Sequence, residues 1–209
     1  MLIERYAKSR SYLYHLTHRD NLNHIREMRR LFPAAILMEQ SGNIDLMRTP
    51  RRRSVALKID ERQIVLRDQI PLYEGMMQLP IGYTFAEFVE SLNRRIFFWP
   101  GNKHKPKDNG LRHFEHYKEE KPVIVRAEFE ALCRMNPAAK PLFCRYNSGS
   151  PRVTYKKKSP RGPNTFLPAE EFNGTPSTVV EVTFDVDVVL PGSAEFSFHP
   201  FGPWHNLLQ

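Results

Sequence analysis

Hydrophobic positions recur with two different periods along the chain, and each period predicts one kind of element. Strict alternation and short apolar runs bounded by turn residues predict strands, whereas apolar positions three to four apart predict helices. The predicted strands cover residues 11–16, 55–59, 63–66, 95–99, 122–127, 141–146 and 178–184. The predicted helices follow Asp20 as an N-cap, or lie within 31–40, 84–92, 102–121 and 128–135.

Local signals set the ends of several elements. Thr84 and Glu87 have the spacing of a capping box, which favours a helix beginning there. Pro and Gly at 100–101 predict the end of the preceding strand. Residues 185–190 are expected to extend the sheet, and the Pro- and Gly-rich tail from Pro191 is expected to wrap the surface.

The order of these elements predicts a fold class. One β-α unit is followed by strands that insertions interrupt, which favours an α+β domain with a mixed β-sheet core, peripheral helices and basic loops. Neither G-x-G-x-x-G nor a P-loop occurs, which argues against a Rossmann dinucleotide site and an NTPase site. With no internal repeat and no linker, residues 1–209 are predicted to form a single domain.

The charge of the chain favours an anionic partner. Thirty-one Lys and Arg residues stand against 23 Asp and Glu, a formal net charge of +8. Cations alternate with aromatic residues in the segment RYNSGSPRVTYKKKSPR, a pattern that suits phosphate contact and base stacking, although a solvated loop looks similar. The candidate nucleic-acid-binding residues there are Arg145, Tyr146, Asn147, Arg152, Tyr155, Lys156 and Lys157.

Several classes of protein are disfavoured. The apolar runs are too short to span a bilayer, and the first ten residues have no apolar stretch of the secretory type. Cys133 and Cys144 do not make a disulfide framework. We therefore expect a cytoplasmic protein with no membrane partner. His113 and His116 lack the spacing and the glutamate of H-E-x-x-H, so no metal is expected.

Two polar features stand out from what a core requires. His15 and Thr17 flank Leu16 at the end of the first predicted strand, where they can hydrogen-bond a ribose or a carboxamide or can serve as ordinary strand-end residues. Glu181 interrupts the apolar strand TVVEVTF, and a carboxylate there is costly unless it faces solvent or a cleft. If it faces a cleft, it can hold a ribose hydroxyl and stabilise developing positive charge.

Arginines form a third feature. Arg53, Arg67 and Arg95 can clamp a pyrophosphate bidentately, although most arginines in so basic a chain are ordinary surface residues.

The segments YHLTH, RDNL, RRIFFW and EVTF, in this order, resemble the DarT-type branch of the ADP-ribosyltransferase superfamily. The resemblance implies a fold of that superfamily, NAD as co-substrate without a metal, and transfer to a nucleic-acid base in single-stranded DNA or RNA, with DNA the first expectation. It implies a toxin or defence protein, controlled by an antitoxin or immunity protein. It assigns cofactor binding to His15, Leu16, Thr17, Asn21, Phe97 and Phe98, and catalysis to Glu181 with Arg67 or Arg53.

A second resemblance covers nearly the whole chain. The segments YHLT, LRDQ, LNRRIFFW, CRYNSGSPR, SPRGPNTF and VVEVTF are similar to those of an uncharacterised bacterial family. Two other classes of function remain open at this point. One is a non-catalytic nucleic-acid-binding module, and the other is related chemistry, either NAD hydrolysis or RNA 2′-phosphotransfer.

Overall fold

A computed structural model describes residues 2–208 and has the predicted α+β class. Its α-helices are α1 (Leu2–Ser9), α2 (Leu22–Met28), α3 (Ala34–Gln40), α4 (Phe85–Asn93), α5 (Asp108–Tyr117) and α6 (Phe129–Met135). Its strands are β1 (Tyr12–His18), β2 (Arg30–Leu31), β3 (Val55–Ile59), β4 (Arg62–Leu66), β5 (Met77–Gln78), β6 (Ile96–Gly101), β7 (Pro122–Glu128), β8 (Leu142–Cys144), β9 (Ser159–Pro160), β10 (Leu167–Pro168), β11 (Glu181–Phe184), β12 (Val188–Val189), β13 (Glu195–Ser197) and β14 (His205–Asn206). Within residues 2–208, no helix has the length and apolar character needed to cross a bilayer.

The main sheet has eight strands in the order β10-β8-β11-β6-β1-β7-β13-β14. Every neighbouring pair in it is antiparallel, so the main sheet is not the mixed sheet that the sequence predicts. Among the described residues, the parallel pairing is between the two-residue strands β5 and β9, outside the main sheet. The strands predicted at 55–59 and 63–66 are confirmed as β3 and β4, and they pair as an antiparallel hairpin.

The sheet is divided at its centre. β1 and β6 pair only where Tyr12–Tyr14 lie opposite Trp99–Gly101. Beyond this short ladder, β1 continues beside β7 as far as His18, while β6 continues beside β11 over residues 96–98. The two halves of the sheet therefore diverge, and the opening between them becomes the cleft described below.

Both faces of the sheet are covered. On one face, Leu13, Phe98 and Val182 pack with Tyr6 of α1 and Phe129 at the start of α6 in the main hydrophobic core. On the other face, the side chains of Tyr14, Leu16, Phe114, Tyr117 and Ile124 form a second cluster that includes residues of α5. Burial on both faces explains why β11 is buried throughout rather than alternating between buried and exposed positions.

Two strand predictions fail at their ends. β6 runs through Pro100 and Gly101 because its pairing with β11 stops at Phe98, so the missing N–H of Pro100 interrupts no ladder on that side. Residues 185–190 do not extend the main sheet, because β12 pairs with β2 in a separate ladder.

The tail from Pro191 does more than wrap the surface. β13 and β14 join the main sheet, and Ala194 and Leu207 are fully buried.

One of the three predicted helix starts is confirmed, and two are wrong. Thr84 and Glu87 form the predicted capping box at the start of α4. Asp20 is not an N-cap, because it lies inside a short 3₁₀ turn and its own N–H donates to the His18 side chain, which caps the turn. The helix expected within 31–40 begins only at Ala34, since Pro33 occupies its N-cap position.

Candidate functional site

A cleft of about 850 Å³ opens where β1 and β6 diverge. This volume lies within the range of small-molecule sites. Its walls come from the ends of β1, β6 and β11, the segment after β4, one face of α5 and parts of the segments 145–154 and 159–161. The predicted site residues that line it are His15, Leu16, Thr17, Asn21, Arg67, Arg95, Phe97, Arg145, Tyr146, Asn147, Arg152 and Glu181.

Five predicted site residues lie elsewhere. Arg53 is exposed outside the cleft, which separates it from Arg67. Phe98 is 1% exposed and packs in the main core, because alternation along β6 turns it away from the cleft face that Phe97 occupies. Tyr155, Lys156 and Lys157 are exposed in a turn that projects beyond the cleft lining.

Glu181 is a buried carboxylate at the start of β11, opposite Cys144. The residue is 4% exposed, which contradicts the alternative that this strand face is open to solvent. Each carboxylate oxygen lies 3.2 Å from the backbone nitrogen of Ser148. Burial raises the pKa of Glu181 to about 7, while hydrogen bonding by Ser148 and the charge of Arg161 act in the opposite direction. Near neutral pH, this group can exist in either protonation state.

Arg161 organises the loop that carries this N–H. Arg161 is 4% exposed, and its guanidinium donates hydrogen bonds to the carbonyls of Asn147 at 2.9 Å and Ser148 at 3.3 Å. It also stacks 4.6 Å from the ring centre of Tyr146. The sequence did not single out Arg161 or Ser148 as site residues, although both lie inside the segments SPRGPNTF and CRYNSGSPR. Membership of these segments was the signal that could have found them.

His15 fills the point at which the sheet opens. Its Nδ1 lies 2.9 Å from the carbonyl oxygen of Phe97, which can only accept, so Nδ1 carries the proton and Nε2 is left as an acceptor. Burial, together with the nearby charge of Arg67, lowers the pKa of His15 to about 4, while the hydrogen bond to the Phe97 carbonyl acts in the opposite direction. The imidazole is therefore neutral at physiological pH.

Asn21 holds the end of β1 against β4. Its amide nitrogen donates to Thr17 Oγ1 and to the carbonyl of Val65, both at 2.9 Å. Its amide oxygen accepts from the Val65 N–H at 2.8 Å. Since these bonds use most of the capacity of the amide, Asn21 positions its neighbours.

Arg67 presents unused hydrogen-bond donors. Its Nη2 donates to the carbonyl of Thr17 at 2.7 Å, and its guanidinium lies 4.5 Å from the ring centre of Tyr117. Its Nε and Nη1 are buried and have no hydrogen-bond partner within residues 2–208. Burial lowers the pKa of Arg67 to about 10, so the group remains a cation at neutral pH. A buried guanidinium of this kind is suited to an anionic ligand. We call His15, Thr17, Asn21 and Arg67 the inner wall.

Sequence reasoning missed a polar network of Arg51, Asp68, Asn93 and Tyr117, which lines the same cleft as the inner wall. Arg51 donates to the carbonyl of Arg67 at 2.7 Å and to Oδ1 of Asn93 at 2.8 Å. Tyr117 donates to Oδ1 of Asp68 at 3.0 Å. Asp68 lies in the LRDQ segment, whereas nothing in the sequence distinguishes Arg51 from the other arginines near it.

The rim of the cleft continues into an exposed turn, which we call the basic hairpin (residues 152–158). Thr154 and Lys157 exchange two backbone hydrogen bonds of 3.0 and 2.9 Å. Tyr155 and Lys156 at its tip have positive φ angles of 49° and 63°, the left-handed geometry of a tight hairpin turn. Tyr155 is 94% exposed.

The fold and the site define a class: an α+β domain whose divided antiparallel sheet holds a carboxylate, a neutral imidazole and a guanidinium around one cleft. Residues 2–208 contain no group of three or more His, Cys, Asp or Glu side chains that could hold a metal ion. The chain belongs to a protein family of unknown function, DUF7002, whose family model matches residues 11–192. No curated protein and no solved structure gives a significant match.

Proposed function

We propose that this protein is an NAD-dependent ADP-ribosyltransferase that modifies a base of single-stranded nucleic acid. The observation that carries the proposal is Glu181, a buried carboxylate with a pKa near 7 in a cleft that also contains His15 and Arg67. Outside a site, a carboxylate at this depth would be destabilising, because the charged form loses its hydration. Its burial therefore supports a catalytic role.

The other residues of the cleft fit a dinucleotide. The two unpartnered N–H groups of Arg67 are suited to a pyrophosphate oxygen, and Nε2 of neutral His15 can accept from a hydroxyl or an amide. Phe97 offers an apolar surface on the same cleft, which suits a planar ring. NAD, when bound, supplies the ADP-ribosyl group and releases nicotinamide.

Glu181 is the proposed catalytic residue. In its ionised form it can accept a hydrogen bond from a ribose hydroxyl and stabilise positive charge that develops on the sugar. It can also accept the proton that the acceptor base loses. Arg161 and the Ser148 N–H position the carboxylate, because both hold the 145–150 loop against it.

The acceptor is assigned from the basic rim. Arg145, Tyr146, Asn147 and Arg152 line the same cleft as Glu181, and the basic hairpin continues from them. Cations beside exposed aromatic rings suit a phosphate backbone with unpaired bases. An activity of this kind damages the cell that makes it, so we also propose a toxin or defence role with a controlling antitoxin or immunity protein.

The test is incubation with NAD labelled in its ADP-ribose part, together with separate pools of single-stranded DNA, RNA and protein. We expect label in one nucleic-acid pool with the wild-type chain and none with Glu181→Gln. The matched control is Glu170→Gln, an exposed glutamate outside the cleft, which should behave as wild type.

Two other outcomes would replace the proposal. Nicotinamide release without transfer to any pool would make the protein an NAD glycohydrolase. Salt-sensitive oligonucleotide binding, without NAD turnover and unaffected by Glu181→Gln, would make it a nucleic-acid-binding module.

A further inference from the structure

A second cavity, of about 300 Å³, lies beside the main cleft at the start of α5. Four of its lining residues are cationic, Arg10, Lys105, Lys107 and Arg112, against one acidic residue, Asp108. We call it the cationic pocket. It is not separate from the cleft, because Asn109 and Arg112 line both cavities.

The positive charges in this pocket are incompletely neutralised. Lys107 donates to the carbonyls of Ser177 at 2.8 Å and Val179 at 3.3 Å, and within residues 2–208 it forms no ion pair. Arg10 has a buried Nε without a hydrogen-bond partner. Burial lowers the pKa of Lys107, and the charge of Arg10 lowers it further, which is the expected result of bringing like charges together.

The backbone at the start of α5 adds to the positive potential of the cationic pocket. Lys107 is the N-cap of α5, a position that usually holds an acceptor side chain, and no side chain caps this helix. The positive end of the helix dipole therefore points into a pocket that already contains four cations. An anion bound in the pocket would offset the positive charge of both the side chains and the uncapped helix end.

We propose that the cationic pocket binds a phosphate group of the nucleic-acid strand whose base enters the main cleft. The proposal rests on the proposed function for the identity of the strand. The pocket's charge suits one phosphate, and the shared lining of Asn109 and Arg112 makes it continuous with the cleft. The strand thus contacts the protein in two places, the basic hairpin and the cationic pocket.

Binding of a fluorescent single-stranded oligonucleotide, measured at several salt concentrations, tests this without requiring turnover. The variants are Lys105→Gln and Arg10→Gln, and the matched control is Lys58→Gln, an exposed lysine on β3 that lines neither cavity. We expect each pocket variant to weaken binding about threefold to tenfold and to reduce the salt slope by about one. The control should match wild type, and NAD binding should be unchanged in all three.

A second measurement tests whether the cationic pocket binds phosphate when no oligonucleotide is present. Inorganic phosphate, titrated into the isotope-labelled chain, should shift the backbone amide signals of Asp108, Asn109 and Gly110 saturably, and less so in Lys105→Gln. If phosphate shifts these signals but neither variant alters oligonucleotide binding, the pocket does not bind the strand. It would then be a site for a small phosphate compound. Pocket variants indistinguishable from Lys58→Gln in both measurements would overturn the pocket itself. Neither result depends on whether NAD is consumed, so the two proposals can fail separately.

Discussion

The inner wall and the basic hairpin border one cleft but are built in opposite ways. In the inner wall, Asn21 makes three hydrogen bonds to Thr17 and Val65, and Arg67 is fixed by the Thr17 carbonyl and the ring of Tyr117. In the basic hairpin, side chains from Arg152 to Lys158 are exposed, and two backbone bonds hold the turn. A fixed, buried wall suits a small ligand that must be oriented, whereas an exposed basic turn suits a large, flexible partner.

The largest expected effect is on Glu181. Glu181→Gln should lower the rate of ADP-ribosyl transfer by about 100-fold to 1000-fold, because a carboxylate aimed at developing charge is lost while the shape is kept. Initial rates of nicotinamide release from NAD in the presence of the acceptor measure it. A variant as active as Glu170→Gln would remove Glu181 from the reaction.

The next effect separates two arginines. Arg67→Gln should weaken NAD binding by about 10-fold to 100-fold, since charge-assisted hydrogen bonds contribute about 1.5–3 kcal/mol. Arg53→Gln, which changes the same charge at an exposed position outside the cleft, should leave the affinity unchanged. Calorimetric titration of both variants with NAD checks this. Equal losses in the two would mean that net charge, rather than the inner wall, holds the ligand.

The pKa of Glu181 predicts how activity depends on pH. If the ionised carboxylate is the active form, the transfer rate should rise about tenfold between pH 6 and pH 8, because the pKa is about 7. A rate that is flat over this range would contradict the assignment.

The stability of the folded chain should fall with rising pH, whereas the transfer rate should rise. The folded pKa of Glu181 lies above its ordinary value of 4.5, so the wild-type chain loses stability as pH rises from about 4.5 through about 7. Glu181→Gln lacks this penalty and should be more stable than wild type at pH 8, by up to about 3 kcal/mol. The difference should shrink towards pH 5, and thermal unfolding at both pH values measures it.

Asn21 should act through stability first. Asn21→Ala leaves the N–H and carbonyl of Val65 without their partner, so the free energy of unfolding should fall by about 1–3 kcal/mol. Chemical denaturation gives this value. A change below 0.5 kcal/mol would show that Asn21 does not hold β1 against β4.

The smallest effect is expected in the basic hairpin. Tyr155→Ala should weaken oligonucleotide binding about fivefold, the lower end of the value for one stacked base, without changing stability or NAD affinity. Fluorescence anisotropy and thermal unfolding check both parts. Loss of NAD affinity in this variant would contradict the assignment of NAD binding to the inner wall and oligonucleotide binding to the basic hairpin.

Local patterns allowed much of the fold to be predicted. The capping box of α4 and the β3–β4 hairpin depend on residues close together in the sequence, and both are present. Long-range pairing was not predictable in the same way. Nothing near residues 188–189 indicates that they pair with β2, and nothing in the tail indicates that Ala194 and Leu207 are buried in the main core.

The candidate site shows the same difference between residues that local patterns identify and residues that only long-range contacts identify. His15 and Thr17 were identified as polar residues at the end of a predicted strand, and Glu181 as a carboxylate inside an apolar strand. The cleft brings all three together. Arg67 and Arg53 could not be ranked, because burial decides between them and burial depends on the whole fold. Arg51 and Arg161 were missed for the same reason, since each is one arginine among many until its buried partners are known.

The most direct test of the buried NAD site is a pair of NMR titrations on the isotope-labelled chain, one with NAD and one with a single-stranded oligonucleotide. NAD should shift the backbone amide signals of residues 15–21, 67, 148 and 181 and leave those of 152–158 unchanged. The oligonucleotide should shift 152–158, and the signals at 15–21 only weakly. NAD shifts confined to the hairpin, or no saturable shift at the inner wall, would contradict the claim that the buried wall is the NAD site.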